Sequence, residues 1–147
     1  MRKTALLAFL VAGAFASNTI NMYKSPTCGC CSKWGEAMEK SGFKVNSHLE
    51  NDVVAVKNRF NVPLELSSCH TAVIDGYVIE GHVPADEVKR LLELKPEGVV
   101  GISTPGMPLH SPGMEQGDTP DMYDVVLFKK DGSREIFATY VGSKKIK

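Results

Sequence analysis

Cys28-Gly29-Cys30-Cys31 places three thiols within four residues. They follow an apolar, strand-like run from Thr19 to Tyr23 and open a helical pattern that continues to Lys40. A helix N-terminus carries partial positive charge and so favours thiolate over thiol. Thiolates attack disulfides, and they bind soft metals. Cys28 and Cys31 have the C-x-x-C spacing of thiol–disulfide oxidoreductases, with Cys28 as exposed nucleophile and Cys31 as resolving thiol. A fixed disulfide is the structural alternative, joining Cys28 to Cys31 or either one to Cys69. Four cysteines allow three pairings, and spacing does not choose among them.

Cys30 weakens the purely redox reading, because a dithiol site needs two thiols and a third invites scrambling. A single tetrahedral zinc also fits poorly, since adjacent Cys30 and Cys31 would form a strained chelate ring. A multinuclear site of bridging thiolates fits better, and soft thiolates select Cu(I), zinc or iron–sulfur. Cys69-His70 adds a thiol and an imidazole immediately before the strand-like Thr71 to Ile74. His82, in Glu80-Gly81-His82-Val83-Pro84, reaches the same end of a sheet if the flanking segments pair. Imidazole is the commonest metal ligand, but each histidine can also serve as a hydrogen-bonding residue. His48 reads as surface. Met107, His110 and Met114 lie in a Gly/Pro-rich loop, where thioether suits Cu(I) but also packs irregular gaps. Met38 and Met122 read as core and Trp34 as packing, and paired carboxylates occur only in charged surface contexts. No nucleotide-binding or hydrolase motif is present.

The elements that must position these residues are legible in outline. Trp34, Ala37 and Met38 share one face of a helix from Cys31 to Lys40, which Ser41-Gly42 stops. Phe43 to Leu49 is a second strand. Asp52 caps a second helix over Val53 to Phe60. Thr71–Ile74 and Tyr77–Gly81 form a hairpin about Asp75-Gly76, a strong turn signal. Pro84 opens a third helix with Val88, Leu91 and Leu92 on its apolar face, ending near Lys95-Pro96. Residues 98–120 read as an ordered loop with two similar turns, Pro105-Gly106-Met107 and Pro112-Gly113-Met114. A second hairpin follows, Tyr123 to Lys129 and Arg134 to Tyr140 about Asp131-Gly132, and Gly142 to Lys147 reads as a solvated tail. The order β-α-β-α-β-β-α predicts an α/β, thioredoxin-like layout: two parallel strands joined by a crossover helix, then an antiparallel hairpin, with helices on both faces. In such proteins a cis-proline usually enters the strand that Cys69-His70 enters here.

Met1-Arg2-Lys3, an apolar run from Ala5 to Ala14 and the small-x-small Ala14-Phe15-Ala16 have the grammar of a cleaved signal peptide over residues 1–16. That predicts an exported, periplasmic protein without stable membrane insertion, folded as one domain over residues 17–147. The chain has 17 basic and 17 acidic residues. Removing Arg2 and Lys3 leaves a net charge near −2, which gives no indication of a nucleic-acid partner. Free thiols outside the cytoplasm oxidise unless a metal or redox partner protects them.

Cys28-Gly-Cys-Cys31, Ser68-Cys-His-Thr71, Glu80-Gly-His-Val-Pro84 and Pro105-Gly-Met…Ser111-Pro-Gly-Met-Glu115 together make the chain resemble the small periplasmic copper-resistance proteins of the CopG type, a metal-binding family long catalogued without a function. The resemblance covers nearly the whole mature chain. It implies a thioredoxin-like fold that binds more than one copper ion, as Cu(I), through Cys28, Cys30, Cys31, Cys69 and His70. It raises His82 to a ligand or a residue supporting one, and leaves Met107 and Met114 as secondary metal contacts. It also implies a role in copper homeostasis alongside other periplasmic copper-handling proteins, with copper redox chemistry as an extension. The competing expectation is a thiol–disulfide oxidoreductase using Cys28 and Cys31.

Overall fold

A computed structural model describes residues 18–147, so the expected signal peptide lies outside the described residues. Strand β1 (Thr19–Lys24) alternates half-buried and buried side chains. Helix α1 (Gly29–Lys40) starts two residues earlier than its apolar periodicity predicts, with Cys28 at the N-cap and Cys30 and Cys31 in its first turn. Strand β2 (Lys44–Leu49) follows, and then helix α2 (Val53–Arg59), whose first turn is capped by the Asp52 carboxylate accepting the Ala55 N–H. After a short 3-10 turn (Leu64–Leu66), β3 (His70–Ile74) and β4 (Tyr77–Gly81) form the expected hairpin. Asp75 and Gly76 both have positive φ, which is the backbone a two-residue hairpin loop requires. Helix α3 (Ala85–Leu94) closes the β-α-β-α-β-β-α series.

Two segments differ from the sequence expectation. Val99–Thr104, expected within a loop, is strand β5, which runs parallel to β4. Gly101 hides it: a β-carbon there would collide with the Val78 carbonyl, so the strand gives up a side chain for close approach to its neighbour. The tail, expected to be solvated, returns to the sheet. After β6 (Met122–Lys129) and β7 (Arg134–Val141), Lys144–Lys145 form a short strand β8 on β7. The Lys145 ammonium sits 2.6 Å from the buried Glu87 carboxylate, which also accepts the Tyr140 hydroxyl at 2.8 Å.

All eight strands form one sheet in the order β2-β1-β3-β4-β5-β6-β7-β8. Strands β1 and β2 are parallel, and β3 is antiparallel to β1, with Lys24 opposite His70. One face carries the larger core, in which Trp34 and Met38 of α1 and Val88 and Leu91 of α3 pack on Ile20, Met22, Ala72, Ile79 and Ile102. The other face holds Val62, Leu66, Val78 and Phe128. No helix among the described residues is long and apolar enough to cross a membrane.

The end of β4 meets the start of β3 and the loop after β5 with no room for a side chain. Gly81 has φ +73°, and a β-carbon there would overlap the Ser68 side chain and lie 2.7 Å from the Thr104 carbonyl oxygen. Gly81→Ala combines a strained φ with overpacking and is expected to lower unfolding stability by about 2–4 kcal/mol in urea titration. A loss below about 0.5 kcal/mol would show that this junction is not tightly packed.

Candidate metal centre

The parallel crossover brings the first turn of α1 to the edge where β3 begins, so the two halves of the cysteine set converge. The Sγ atoms of Cys28, Cys30, Cys31 and Cys69 all lie within 4.8 Å of one another. Cys28 and Cys31 are joined as a disulfide, one of the pairings left open by spacing. Cys30 and Cys69 are free thiols, each half-buried. Cys30 Sγ lies 3.5 Å from Cys28 Sγ. No peptide bond among the described residues is cis, so the segment entering β3 is shaped by other means.

A second group shares Cys69. Cys69 Sγ, a ring nitrogen of His70 and one of His82 also lie within 4.8 Å of one another. Cys69 Sγ is 2.9 Å from His82 Nε2 and 3.3 Å from His70 Nδ1. Both rings are fully buried. The His82 tautomer follows from its other nitrogen. Nδ1 lies 2.7 Å from the Pro112 carbonyl oxygen, which can only accept, so Nδ1 holds the proton. Nε2 therefore turns its lone pair toward Cys69, with the backbone carbonyl fixing the ring as it does for metal-binding histidines. His70 Nε2 is a buried polar atom with no partner, while its Nδ1 faces Cys69. Trp34 walls this group. Its ring centroid is 4.5 Å from that of His70, and its N–H donates to the Val83 carbonyl at 2.9 Å.

Burial sets the protonation states. Desolvation pushes the Cys69 thiol up to about 12, reinforced by the nearby Cys30. Desolvation holds His70 well below its ordinary value of 6.5, helped by the positive fields of His82, Lys57 and Lys24. His82 is lowered chiefly by desolvation as well. The metal-free site is thus a thiol beside two neutral imidazoles. Neutral imidazole and a thiol that can surrender its proton are what a soft cation displaces protons to obtain. The donor set, with His70 Nδ1 and His82 Nε2 both facing Cys69 Sγ, fits a soft metal.

The sequence reading missed the groups behind this shell. Glu80, given no role from the sequence, is fully buried and accepts the Ser68 N–H at 2.7 Å, the Thr71 hydroxyl at 2.6 Å and the Lys57 ammonium at 2.6 Å. Strand β4 is buried on both faces, so it carries no alternation that would have marked Glu80 as internal. Lys24 is also buried, its ammonium 3.3 Å from the Cys28 carbonyl oxygen and 3.2 Å from that of Ser25. In the Gly/Pro loop, Gly113 has φ +83° and lies against α1, where a β-carbon would come 2.6 Å from Trp34 N and 2.9 Å from the Cys30 carbonyl oxygen. Met114 is buried, and Met107 is 53% exposed. His110 bonds to backbone away from the cysteines, its Nε2 2.9 Å from the Gly117 oxygen. Met122, expected in the core, is instead 72% exposed at the start of β6. His48 is a surface residue as expected, stacked on Tyr23.

Fold and site together define a mixed α/β protein with a cysteine and histidine cluster at the N-terminus of its first helix. Two solved structures show the same chain trace. One, copper resistance protein CopG form 2, aligns with a TM-score of 0.79 and 45% identity over 83% of this chain and 97% of that one. The other, CopG form 1, aligns with a TM-score of 0.78 and 45% identity over 84% and 98%. The chain belongs to the CopG family of copper resistance proteins. A family model described as "Protein of unknown function, DUF411" matches residues 66–114, the stretch from Leu66 through Cys69, His70 and His82 to Met114. No curated protein matches the chain.

The depressed histidines predict a pH-dependent stability. Unfolded, both histidines protonate near 6.5; folded, they resist protonation, so the unfolded chain binds more protons below that pH. Their contribution is fully present above about pH 6.5 and is lost as pH falls, at up to about 1.4 kcal/mol per pH unit for each ring. Glu80, raised by desolvation above its ordinary value of 4.5, acts in the opposite direction above that value. Metal-free protein with its disulfide intact should therefore melt at a lower temperature at pH 5.5 than at pH 7. The His70→Asn/His82→Gln variant should show a shallower dependence. Equal slopes in the two proteins would contradict neutral, buried imidazoles.

Proposed function

We propose that this protein binds copper in the periplasm as part of copper resistance, holding more than one Cu(I) ion through Cys28, Cys30, Cys31, Cys69, His70 and His82. The observation that carries the reading is the approach of four sulfurs within 4.8 Å, with two neutral imidazoles against the fourth. The structural neighbours are named copper resistance proteins, which supports copper as the cargo. The mature unit in this reading is residues 17–147, a single thioredoxin-like metal-binding domain released from a signal peptide at residues 1–16. Met107 and Met114 stand as secondary copper contacts, and other periplasmic copper-handling proteins as delivery partners.

The chain's own residues account for the steps. The Cys28–Cys31 disulfide takes up two electrons and two protons from a dithiol reductant to give two thiols. Binding then displaces the thiol protons to solvent, and the N-terminus of α1 together with the buried Lys24 ammonium stabilises the resulting thiolate charge. His82 keeps its proton on Nδ1, toward Pro112, and offers Nε2. Bound copper in turn shields the thiolates from reoxidation.

A second reading has its own observation. A disulfide between Cys28 and Cys31 at a helix N-terminus is the arrangement of a thiol–disulfide oxidoreductase. Under that reading disulfide exchange is lost in Cys28→Ser and kept in Cys30→Ser. Under the copper reading, Cys69→Ser, anaerobically reduced and loaded with Cu(I), retains less than half the copper per chain of the unsubstituted protein. Elemental analysis after desalting measures this, and full stoichiometry in Cys69→Ser would exclude a site shared between the two groups.

A further inference from the structure

Two thioethers are exposed at the surface, unlike the other described methionines. Met22, Met38 and Met114 are at most 6% exposed, whereas Met107 is 53% and Met122 72% exposed. Burying such a side chain is worth about 1.5–3 kcal/mol, so leaving two of them out forgoes a sizeable gain. The two share a place. Both line one surface depression of about 520 Å³, with Asp121 and Asp124 on its walls and Pro105 and Pro108 on either side of Met107.

The segment that carries Met107 is hydrogen-bonded to the residues just before Cys69. Gly106, with φ +70°, donates its N–H to the Ser67 carbonyl at 3.2 Å. Its own carbonyl oxygen, in the peptide unit that leads into Met107, accepts the Ser68 hydroxyl, and that hydroxyl lies 3.9 Å from Cys69 Sγ. The peptide carrying Met107 and the thiol of Cys69 therefore share one hydroxyl neighbour. The opposite wall is fixed as well. The Asp121 carboxylate accepts the Leu109 N–H at 2.8 Å, and the Asp121 N–H donates to the Leu109 carbonyl at 3.1 Å, which clips the loop beside Met122.

We propose that Met107 and Met122 form a thioether pair that takes up a soft monovalent cation, Cu(I), at the surface and hands it to Cys69. The proposal rests on the reading that the cysteine group holds copper. Thioether sulfur is neutral and soft, so it selects Cu(I) over hard cations and has no proton to expel. Thiolate binds more tightly, so transfer runs from the pair to Cys69. The copper–thioether bonds break, a copper–sulfur bond forms at Cys69, the Cys69 thiol proton leaves to solvent, and copper stays Cu(I) throughout. Asp121 and Asp124 each commit one oxygen to the fold, to Leu109 and Thr139, and add negative potential that draws the cation in.

Two measurements test the pair. In the first, Cys30→Ser/Cys69→Ser protein with its disulfide intact, which has no free thiol, carries ¹³C-methyl methionine and is titrated with Ag(I), a redox-inert soft monovalent ion. The methyl resonances of Met107 and Met122 should shift together while those of Met22 and Met38 stay put. No shift at Met107 and Met122 overturns the pair. In the second, reduced protein is mixed with a Cu(I)–bicinchoninate complex in a stopped-flow instrument. Met107→Leu/Met122→Leu should reach the same final copper per chain at least tenfold more slowly. Equal rates overturn the transfer role. Unsubstituted protein that takes up no copper would overturn the reading of the cysteine group and the transfer with it, while the silver titration, free of thiols, still decides the thioether pair.

Discussion

Glu80 lies fully buried on β4, where its carboxylate receives the Ser68 N–H, the Thr71 hydroxyl and the Lys57 ammonium. These bonds fix the residues on both sides of Cys69-His70 to the neighbouring strand. A buried charge is tolerated only when it is paired and its remaining lone pairs are satisfied, and removing one partner of such a pair typically costs about 3–5 kcal/mol. Glu80 meets that condition through a lysine from α2, a hydroxyl from β3 and a backbone amide. The three elements therefore cannot shift independently. The Glu80 carboxylate thus ties the segment entering β3 to β4 and to α2. Ser68, anchored on one side to Glu80, is anchored on the other to Gly106 and so ties the Gly/Pro loop to the same point.

Around that anchor the site is built to be uncharged while empty of cation. Desolvation raises the Cys69 thiol and lowers both histidines, so neither kind of group ionises near neutral pH without a reason. In the proposed copper reading, a soft cation would exchange for the thiol proton and meet His70 Nδ1 and His82 Nε2 facing Cys69. Lys24 contributes in the same sense. Its buried ammonium, held by the Ser25 and Cys28 carbonyls, opposes protonation of His70. The disulfide between Cys28 and Cys31 gives the same scaffold a closed state, from which two of the four sulfurs are withdrawn until reduced.

Residues whose roles are local were legible in the sequence. The C-G-C-C run, the Asp75-Gly76 turn and the apolar faces of α1 and α3 each carry their signal within a few residues. The placement of Cys69 beside the first turn of α1 was expected from a thioredoxin-like layout and has no local signal; the pairing of β1 with β3 brings it about. What escaped depends on distant partners. Strand β5 was hidden by Gly101, whose missing side chain makes sense only against Val78. The Glu80–Lys57 pair carries no local signal, because its partners are 23 residues apart. The tautomer of His82 is dictated by the Pro112 carbonyl, and the tail is drawn back to the sheet by Glu87. Met122 has the composition of a core residue, and only the structure places it in solvent beside Met107.

If the sulfurs of Cys28, Cys30, Cys31 and Cys69, with imidazole nitrogen beside them, form one copper-binding shell, copper K-edge X-ray absorption on reduced, anaerobically Cu(I)-loaded protein will show it. The expected spectrum has a first shell dominated by sulfur, a nitrogen contribution that falls in His70→Asn/His82→Gln, and a short copper–copper vector. A first shell of oxygen and nitrogen without sulfur would rule out such a shell.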